Sequence, residues 1–475
     1  MSIWPVIPRS GARASRRGIC TLALSALAAA VFATAAGAQT SAVGTILPGV
    51  KMGGSANVRV LGHLPLGGFF RVADVALEQE TGRPFVYAAQ SLDRSGFTAI
   101  DVTDPEHAKV LLRWTIDHPE AHRGLGAVRA RYVRTAKGTF LVLGVSFDAG
   151  SPDADLAAII FDVSGLPDSS RVHEVARIRS SAPGGVRDLF AYKHSDGRAL
   201  LFVATNGPSA EVYDVDAVVA GRGVAAATVA HIPIPAFGVN DGGGNGYSGI
   251  FVGYDPTTGH DKFYGAGAGG YFVFDVSDLA KPRLLTSIVG AAGVLRGSAI
   301  VPTPDARYAV TATGYQYSPL RIFDLSEGLR GIEQTVSRPI GAWTADWRDA
   351  VRSADVRWPL AFVSSYEDGL QIFNMVDPKN PVTVGWYYTC LCAHQAGFGS
   401  TAAPQGESTV NGAVGVDVRN RDGMIAVADA NSGLWLLRLD GFGGWRGDDW
   451  GVPNVSSVQD WSRGAVVKPV TSAVP

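Results

Sequence analysis

The sequence predicts an all-β protein, specifically a seven-bladed β-propeller whose last blade is closed by an N-terminal strand. Three observations support this prediction: a motif that recurs seven times, short β-type runs around each copy, and a spare strand before the array that matches the strand missing from its last repeat. Recurrence every 50 to 60 residues or so is typical of solenoids, propellers and arrays. The repeat therefore outweighs a domain count based on length alone.

The recurring motif is a run of apolar residues ending in an aspartate, then an apolar residue and a serine, threonine or aspartate. Its first copy ends at Asp101, and Asn374 and Arg438 replace the aspartate in the last two copies. The copies between them end at Asp162, Asp214, Asp275 and Asp324. A carboxylate at a strand end accepts N–H bonds from the following turn, so we interpret these aspartates as turn-forming residues and not as metal ligands.

Each copy lies among other short runs that are rich in β-branched and aromatic residues. In the first repeat, residues 72–77 and 84–89 precede the motif and residues 109–114 follow it. Such runs, bounded by glycine, aspartate and serine, are typical of strands. Four short antiparallel strands repeated seven times indicate a seven-bladed propeller.

The two ends of the array are complementary. Residues 57–64 have the pattern of a fourth strand with no first three before them, whereas the last repeat, 414–439, has three strands and lacks a fourth. Pairing the two would remove the exposed edges of an open array. We assign residues 55–440 to the propeller and 441–475 to a tail, and we expect the tail's Trp445, Trp450 and Trp461 to pack on the outside of the disc.

The repeated motif resembles that of the LVIVD-repeat family of exported β-propellers. The resemblance covers all seven repeats, and it departs from the family pattern at Asn374 and Arg438. It implies the propeller fold and export from the cytoplasm. It implies no particular activity, because one fold serves many functions.

The N-terminal residues have the features of a signal peptide, which we assign to residues 1–38. Arg9, Arg13, Arg16 and Arg17 come before an apolar stretch at 19–32, and small residues at 36–38 fit a cleavage site. Both the general secretory and the twin-arginine route remain open. We expect a periplasmic or secreted protein with no membrane span after signal removal.

Charge and missing motifs exclude several classes of function. The net charge of −2 is not that of a nucleic-acid-binding protein, which needs a basic surplus or stripe. The sequence has no Gly-x-Ser-x-Gly elbow, no His-Glu-x-x-His, no Walker loop and no Cys-x-x-Cys-His. We therefore expect no cofactor.

Arginines near the start of the first strand in five blades are the strongest ligand-binding candidates. First strands line the channel of a propeller, so these guanidinium groups could attract a carboxylate, sulfate or phosphate at its mouth. The alternative is that each arginine pairs with an acid of a neighbouring blade. The candidate residues are Arg71, Arg129, Arg187, Arg296 and Arg348, with Tyr315, Tyr317 and Tyr366 in loops of the same face.

Cys390, Cys392 and His394 form a Cys-x-Cys-x-His sequence that could bind a soft metal such as zinc or copper. Three ligands fall short of a closed set, and His118 or His122 would have to supply the fourth. The alternatives are a disulfide between the two cysteines or free thiols.

Two functions fit these features. The first is an exported binding or interaction module that takes an anionic glycan, a peptide or a protein surface at the channel mouth. The second is an enzyme, a polysaccharide lyase or hydrolase, that acts on a carboxylate-bearing substrate at the same face. An enzyme requires a tyrosine or histidine base within reach of the arginines.

Overall fold

Seven small sheets form the described part of the protein, and the core of each is a set of antiparallel strands from one stretch of the chain. The structure is a computed structural model that describes residues 52–67, 71–235, 246–313, 319–332, 334–345, 351–390, 412–447 and 461. Residues of the signal-peptide assignment lie outside this range. The predicted all-β, seven-bladed propeller is confirmed.

The first four blades contain four strands each, in chain order from the channel to the rim. Two strands precede them, β1 (Gly53–Gly54) and β2 (Val58–Leu64). Blade one holds β3 (Val72–Leu77), β4 (Phe85–Gln90), β5 (Gly96–Asp101) and β6 (Lys109–Thr115). Blade two holds β7 (Gly124–Thr135), β8 (Gly138–Phe147), β9 (Leu156–Asp162) and β10 (His173–Arg179). Blade three holds β11 (Val186–Lys193), β12 (Ala199–Thr205), β13 (Ser209–Asp214) and β14 (Thr228–Pro233). Blade four holds β15 (Tyr247–Asp255), β16 (His260–Gly267), β17 (Gly270–Asp275) and β18 (Arg283–Val289).

The last three blades are less regular at the rim. Blade five holds β19 (Gly297–Pro302), β20 (Tyr308–Thr313), β21 (Leu320–Asp324) and the short β23 (Gly341–Trp343), while β22 (Thr335–Val336) pairs in parallel with β18 of blade four. Blade six holds β24 (Ser353–Arg357), β25 (Leu360–Ser364), β26 (Leu370–Asn374) and β27 (Val382–Tyr388), and β1 extends its edge. Blade seven holds β28 (Ala413–Val418), β29 (Met424–Asp429) and β30 (Gly433–Leu439).

The innermost strands close the ring. Each of β3, β7, β11, β15, β19, β24 and β28 contacts the innermost strand of the next blade, and β28 contacts β3. Because neighbouring blades stack face to face, second strands such as β4 are buried along their whole length, whereas the rim strand β6 contains no buried residue. Burial on both faces explains why the second strands are continuous apolar runs in the sequence.

The predicted closure of the last blade is confirmed. Strand β2 is the fourth strand of blade seven and pairs antiparallel with β30, with Val58 opposite Leu439 and Leu64 opposite Leu434. The first described part of the chain thus completes the last blade and covers an edge that would otherwise be open.

The recurring aspartates hold the turns at the ends of the third strands, as predicted. Asp101 Oδ1 accepts both the N–H of Thr103 at 2.8 Å and its hydroxyl at 2.6 Å. Five other side chains likewise accept the backbone N–H of a residue two or three positions later: Asp162, Asp214, Asp275, Asp324 and Asn374. Asn374 preserves the contact because an amide oxygen accepts the same N–H bond.

Two tail tryptophans are described. Trp445 is buried and its Nε1 donates to the carbonyl oxygen of Trp358 at 3.2 Å. Trp461 is also buried, but it lines the central cavity and its ring centroid lies 6.3 Å from that of Tyr132. Its position differs from the expected packing on the outside of the disc. Trp450 lies outside the described residues.

Helices occur only as short turns in the described connections. They are α1 (Val215–Val219), α2 (Val224–Ala227) and α3 (Ser326–Leu329), with 3-10 turns at Leu92–Arg94, Pro105–His107, Pro119–Ala121 and Ser169–Arg171. Within the described ranges, no helix combines the length and the apolar character that crossing a membrane requires.

Candidate functional site in the central channel

A cavity of about 110 Å³ lies at the centre of the ring and is lined by all seven innermost strands. Its wall mixes apolar residues with both signs of charge. The charged residues of the lining are Asp74, Asp188, Asp355, Asp417, Arg129, Arg131 and Arg352. The channel is therefore not the uniformly positive funnel that an arginine-only pattern would give.

Arg129 is buried and pairs across the boundary between blades two and three. Its Nε donates to Asp188 Oδ1 at 2.6 Å, and the other carboxylate oxygen accepts the N–H of Ile250 in blade four at 2.7 Å. One carboxylate thus connects three consecutive blades. Of the two interpretations open for Arg129, an anion site or an ion pair with a neighbouring blade, the contacts match the ion pair.

Asp74 makes the equivalent connection between blades one and two. Its Oδ2 accepts Arg131 Nη1 at 2.7 Å and the backbone N–H of Ala130 at 3.2 Å. Burial alone would lower the pKa of Arg131, but the carboxylates of Asp74, Asp188 and Asp417 outweigh it and raise the pKa. Arg131 is thus held in its charged form by the acids around it.

The remaining two channel acids also have structural contacts. Asp417 Oδ2 accepts the N–H of Leu77 in blade one at 2.8 Å, and Asp355 Oδ1 accepts Arg357 Nη1 at 2.6 Å. Innermost strands have one edge without a strand partner, so their inward N–H groups need other acceptors. Carboxylates from the preceding blade meet that need for Ala130, Ile250 and Leu77.

Arg352, directly before β24, differs from the other arginines of the lining. Its guanidinium forms no hydrogen bond or ion pair with any residue in the part of the chain that the structure describes. Repulsion from Arg129 is the main reason why the pKa of Arg352 is lowered, and burial lowers it further. Asp188 and Asp74 attract the guanidinium from a distance, but no described acid forms an ion pair with it.

Three other predicted arginines are described, and none of them lines the cavity. Arg71 donates its backbone N–H to Ala430 in blade seven at 3.0 Å, and burial and the like charge of Arg94 lower the pKa of its side chain. Arg187 Nε donates to Asn206 Oδ1 at 2.6 Å, towards the loop after β12. Arg296 forms a backbone bridge with Ala268 of blade four.

The strand registers explain why the four described arginines do not share one position in the channel wall. Arg71 and Arg296 precede the first paired residue of their blades, whereas Arg187 lies within the bulge between Val186 and Asp188. Arg129 follows the corresponding bulge of blade two and is paired with Gly144. Such a bulge inserts a residue into one strand and redirects the side chains that follow it.

The predicted loop residues are only partly described. Tyr366 is partly buried at the turn between β25 and β26, with φ of 40°, and its phenol is close enough to Arg352 to affect that arginine's pKa. Arg348, Tyr315 and Tyr317 lie outside the described residues. Their proposed roles stay predictions.

The candidate metal ligands are likewise described only in part. Cys390 is disulfide-bonded, so its sulfur is not a free thiolate. Cys392 and His394 lie outside the described residues. His122 contacts the His118 carbonyl oxygen through Nδ1 at 3.0 Å and Asp153 through Nε2 at 3.2 Å. No cluster of three or more potential ligands occurs among the described residues.

Sequence reasoning missed Arg352 and Arg131. Arg352 is four positions after the arginine selected for blade six, and it lies where the described part of that blade begins. The pairing of Ser353–Arg357 with Leu360–Ser364 could have been predicted from the sequence, and it places the start of the inner strand of this blade directly after Arg352.

Comparisons with known proteins support the fold and no more. No family model and no curated protein matches the chain. The solved structures that match it include Raptor from Chaetomium thermophilum, with a TM-score of 0.51 and 13% identity over 80% of this chain. The match spans 29% of the Raptor chain. Similarity at this level of identity indicates a shared β-propeller architecture.

Proposed function

We propose that the protein is an exported binding and interaction module, and that it holds the anionic group of its ligand at Arg352 in the channel mouth. The observation that carries this proposal is the guanidinium of Arg352, which lines the cavity, is repelled by Arg129 and has no counter-ion among the described residues. An anion would remove that repulsion on binding.

The chemistry of arginine defines the ligand class. A guanidinium presents a planar fork of N–H donors that matches a carboxylate, sulfate or phosphate. An anionic glycan, an acidic peptide or an acidic protein surface could each present such a group. The near-neutral net charge of −2 gives no support to a nucleic-acid ligand.

Export is supported by the N-terminal residues alone. The arginines before an apolar stretch and the small residues at 36–38 have the order of a signal peptide. The proposed location is accordingly the periplasm or the exterior of the cell. The resemblance to LVIVD-repeat proteins agrees with this location and remains part of the proposal.

The test is ligand binding by the purified protein and by Arg352→Ala. Thermal unfolding is followed with short carboxylates, uronic acids, acidic oligosaccharides and acidic peptides, and hits are confirmed by calorimetry. An anion at about 100 times its Kd adds about 2.7 kcal/mol to stability and raises the Tm measurably. We expect that rise to disappear in Arg352→Ala.

Arg187→Ala is the matched control. It removes another arginine from an innermost strand, but this one is bonded to Asn206 and does not line the cavity. It should bind as the unaltered protein does. Binding that survives Arg352→Ala, or that is lost equally in Arg187→Ala, would refute the proposed site.

The second candidate is an enzyme acting on a carboxylate-bearing substrate, such as a polysaccharide lyase or hydrolase. The observation in its favour is Tyr366, whose phenol lies near Arg352 and whose backbone has a positive φ of 40°. A tyrosine beside a carboxylate-binding arginine can transfer a proton at the carbon next to the carboxylate.

The enzyme proposal predicts turnover that depends on the phenol group. Unsaturated or shortened products should accumulate from an acidic polysaccharide, and Tyr366→Phe should lose this turnover while it still binds the substrate. Binding without product formation, unchanged in Tyr366→Phe, would leave the binding module as the function.

A further inference from the structure

We infer that the anion held at Arg352 is a short carboxylate of roughly two to four carbons, enclosed in the channel with Ser298 as its second hydrogen-bond donor. This inference rests on the proposed function and adds the size of the ligand and a second contact. It follows from the volume of the cavity, from the position of Ser298 and from the residue that lines the far end.

The volume of the cavity limits the ligand. At about 110 Å³ it is smaller than a cavity of about 150 Å³, which admits one benzene molecule. A short organic acid such as acetate, lactate or pyruvate fits this space. A uronic acid is larger than benzene, so a sugar acid would have to remain outside, at the mouth.

Ser298 is placed to share the anion with Arg352. It lies in the bulge of β19 between Gly297 and Ala299, lines the cavity, and belongs to the blade next to that of Arg352. Ser298 comes directly before Ala299, and Arg352 comes directly before Ser353. Ala299 and Ser353 pair with the second strands of their blades at the same level. They therefore enter the channel wall at the same height.

The hydroxyl of Ser298 has no partner in the described part of the protein. Its Oγ is buried and accepts or donates no hydrogen bond. A buried hydroxyl without a partner is costly, and rotation about its single χ1 bond turns it towards the cavity that the residue lines. A carboxylate there would accept one bond from this hydroxyl and others from Arg352.

Trp461 lines the cavity towards the end away from Arg352. Its ring packs near that of Tyr132. Tyr132 lies three residues beyond Arg129 along β7, which puts the two residues about 10 Å apart. Arg352 precedes its strand, at the other end of the cavity. The indole therefore forms a floor that limits how long an acid can extend inward from Arg352.

The first experiment measures affinity against ligand size by calorimetry. The panel is acetate, propionate, lactate, pyruvate, succinate, glucuronate and an oligogalacturonate. Acids of two to four carbons should bind, and glucuronate and the oligomer should bind at least roughly tenfold more weakly. Arg352→Met should weaken every acid that binds by at least about tenfold.

Ser298→Ala should weaken the short acids by roughly tenfold, because a hydrogen bond to a charged group is lost. Ser248→Ala is the matched control. Ser248 lies in the corresponding bulge of β15, and its Oγ is also buried without a partner among the described residues, but it does not line the cavity. Its removal should leave affinity unchanged.

Trp461→Ala should shift the preference towards longer acids by removing the floor, and Trp461→Phe should keep the original preference. Trp445→Phe is its control, because Trp445 bonds to Trp358 and does not line the cavity. A ligand profile that is the same in Trp461→Ala and in the unaltered protein would overturn the role of the indole.

The outcomes separate this inference from the proposed function. Arg352-dependent binding of glucuronate or the oligomer in preference to acetate and pyruvate would overturn the short carboxylate and leave the anion site at Arg352 standing. Full affinity in Ser298→Ala would overturn the second donor. Binding of no acid of the panel through Arg352 would overturn this inference, and the proposed function would fall with it if sulfate and phosphate also failed to bind there.

Discussion

The two sides of the channel wall differ in how their polar groups are satisfied. On blades one to three, Asp74, Arg129 and Asp188 form hydrogen bonds to side chains or backbone N–H groups of a neighbouring blade. On blades five and six, Arg352 and Ser298 line the same cavity without a partner for guanidinium or hydroxyl among the described residues. The first side joins blades through these groups, and Arg352 and Ser298 on the second side are where we propose that a ligand binds.

The comparison teaches that a charged residue in a propeller channel is not by itself a sign of binding. Arg129 and Arg352 are the same residue type in the same cavity, yet one is neutralised by Asp188 at 2.6 Å and the other is repelled by Arg129. A protein that keeps a charge unpaired gives up stability there, and such sites tend to be functional.

The largest expected effect is on the paired side. Asp188→Ala removes the partner of Arg129 and the acceptor of the Ile250 N–H, which leaves a buried charge and a buried donor unsatisfied. Breaking a buried ion pair from one side costs about 3–5 kcal/mol. Urea denaturation should show this loss in the free energy of unfolding.

The double variant Arg129→Met with Asp188→Leu serves as the control for that loss. Replacing both charges by apolar side chains of similar size removes the uncompensated charge, so much of the stability should return. A double variant as unstable as Asp188→Ala would show that the backbone contact to Ile250, and not the ion pair, carries the stability. A stable Asp188→Ala would remove the distinction between the two sides.

On the side of Arg352 we expect a smaller change in the free energy of unfolding, and in the opposite direction. Arg352→Met removes the repulsion from Arg129 and breaks no ion pair among the described residues. The free energy of unfolding in the absence of added anions should stay the same or rise by up to about 1 kcal/mol. Urea denaturation measures it, and a loss of about 2 kcal/mol or more would mean that Arg352 supports the fold.

The fold was predictable because its signals repeat. The motif recurs seven times with the same arrangement of strands around it, and the turn contacts of Asp101 and its counterparts follow from local chemistry alone. The closure by β2 followed from counting strands, since a missing fourth strand at one end matches a spare strand at the other. Errors in any one repeat could not change the outcome.

The candidate site was less predictable because it depends on register and on contacts between blades. Arg129 and Asp188 are 59 residues apart in sequence, so nothing local indicates that they pair. Bulges between Ala127 and Arg129 and between Val186 and Asp188 shift the side chains after them, which an alignment of motifs does not reveal. A free arginine and a paired one therefore look alike in the sequence.

The smallest expected effect concerns the same chemical pair in an exposed turn. Asp196 Oδ2 accepts Arg198 Nε at 2.8 Å and Nη2 at 2.6 Å, and more than a third of each side chain is exposed. Burial alone would raise the pKa of Asp196, but the hydrogen bonds from Arg198 and the neighbouring His194 outweigh it and lower the pKa to about 2. An exposed pair is screened by solvent, so Asp196→Asn should cost less than about 1 kcal/mol at neutral pH.

The pH dependence of that small effect separates it from the buried pair. Because the pKa of Asp196 is lowered on folding, its contribution is complete above the ordinary value of 3.8 and is lost as the pH falls through about 2. The difference in unfolding free energy between Asp196→Asn and the unaltered protein should therefore shrink between pH 5 and pH 2, as measured by urea denaturation at each pH. A difference at neutral pH as large as that of Asp188→Ala would show that burial between blades is not what makes the channel pair strong, and the contrast between the two sides of the wall would then need another cause.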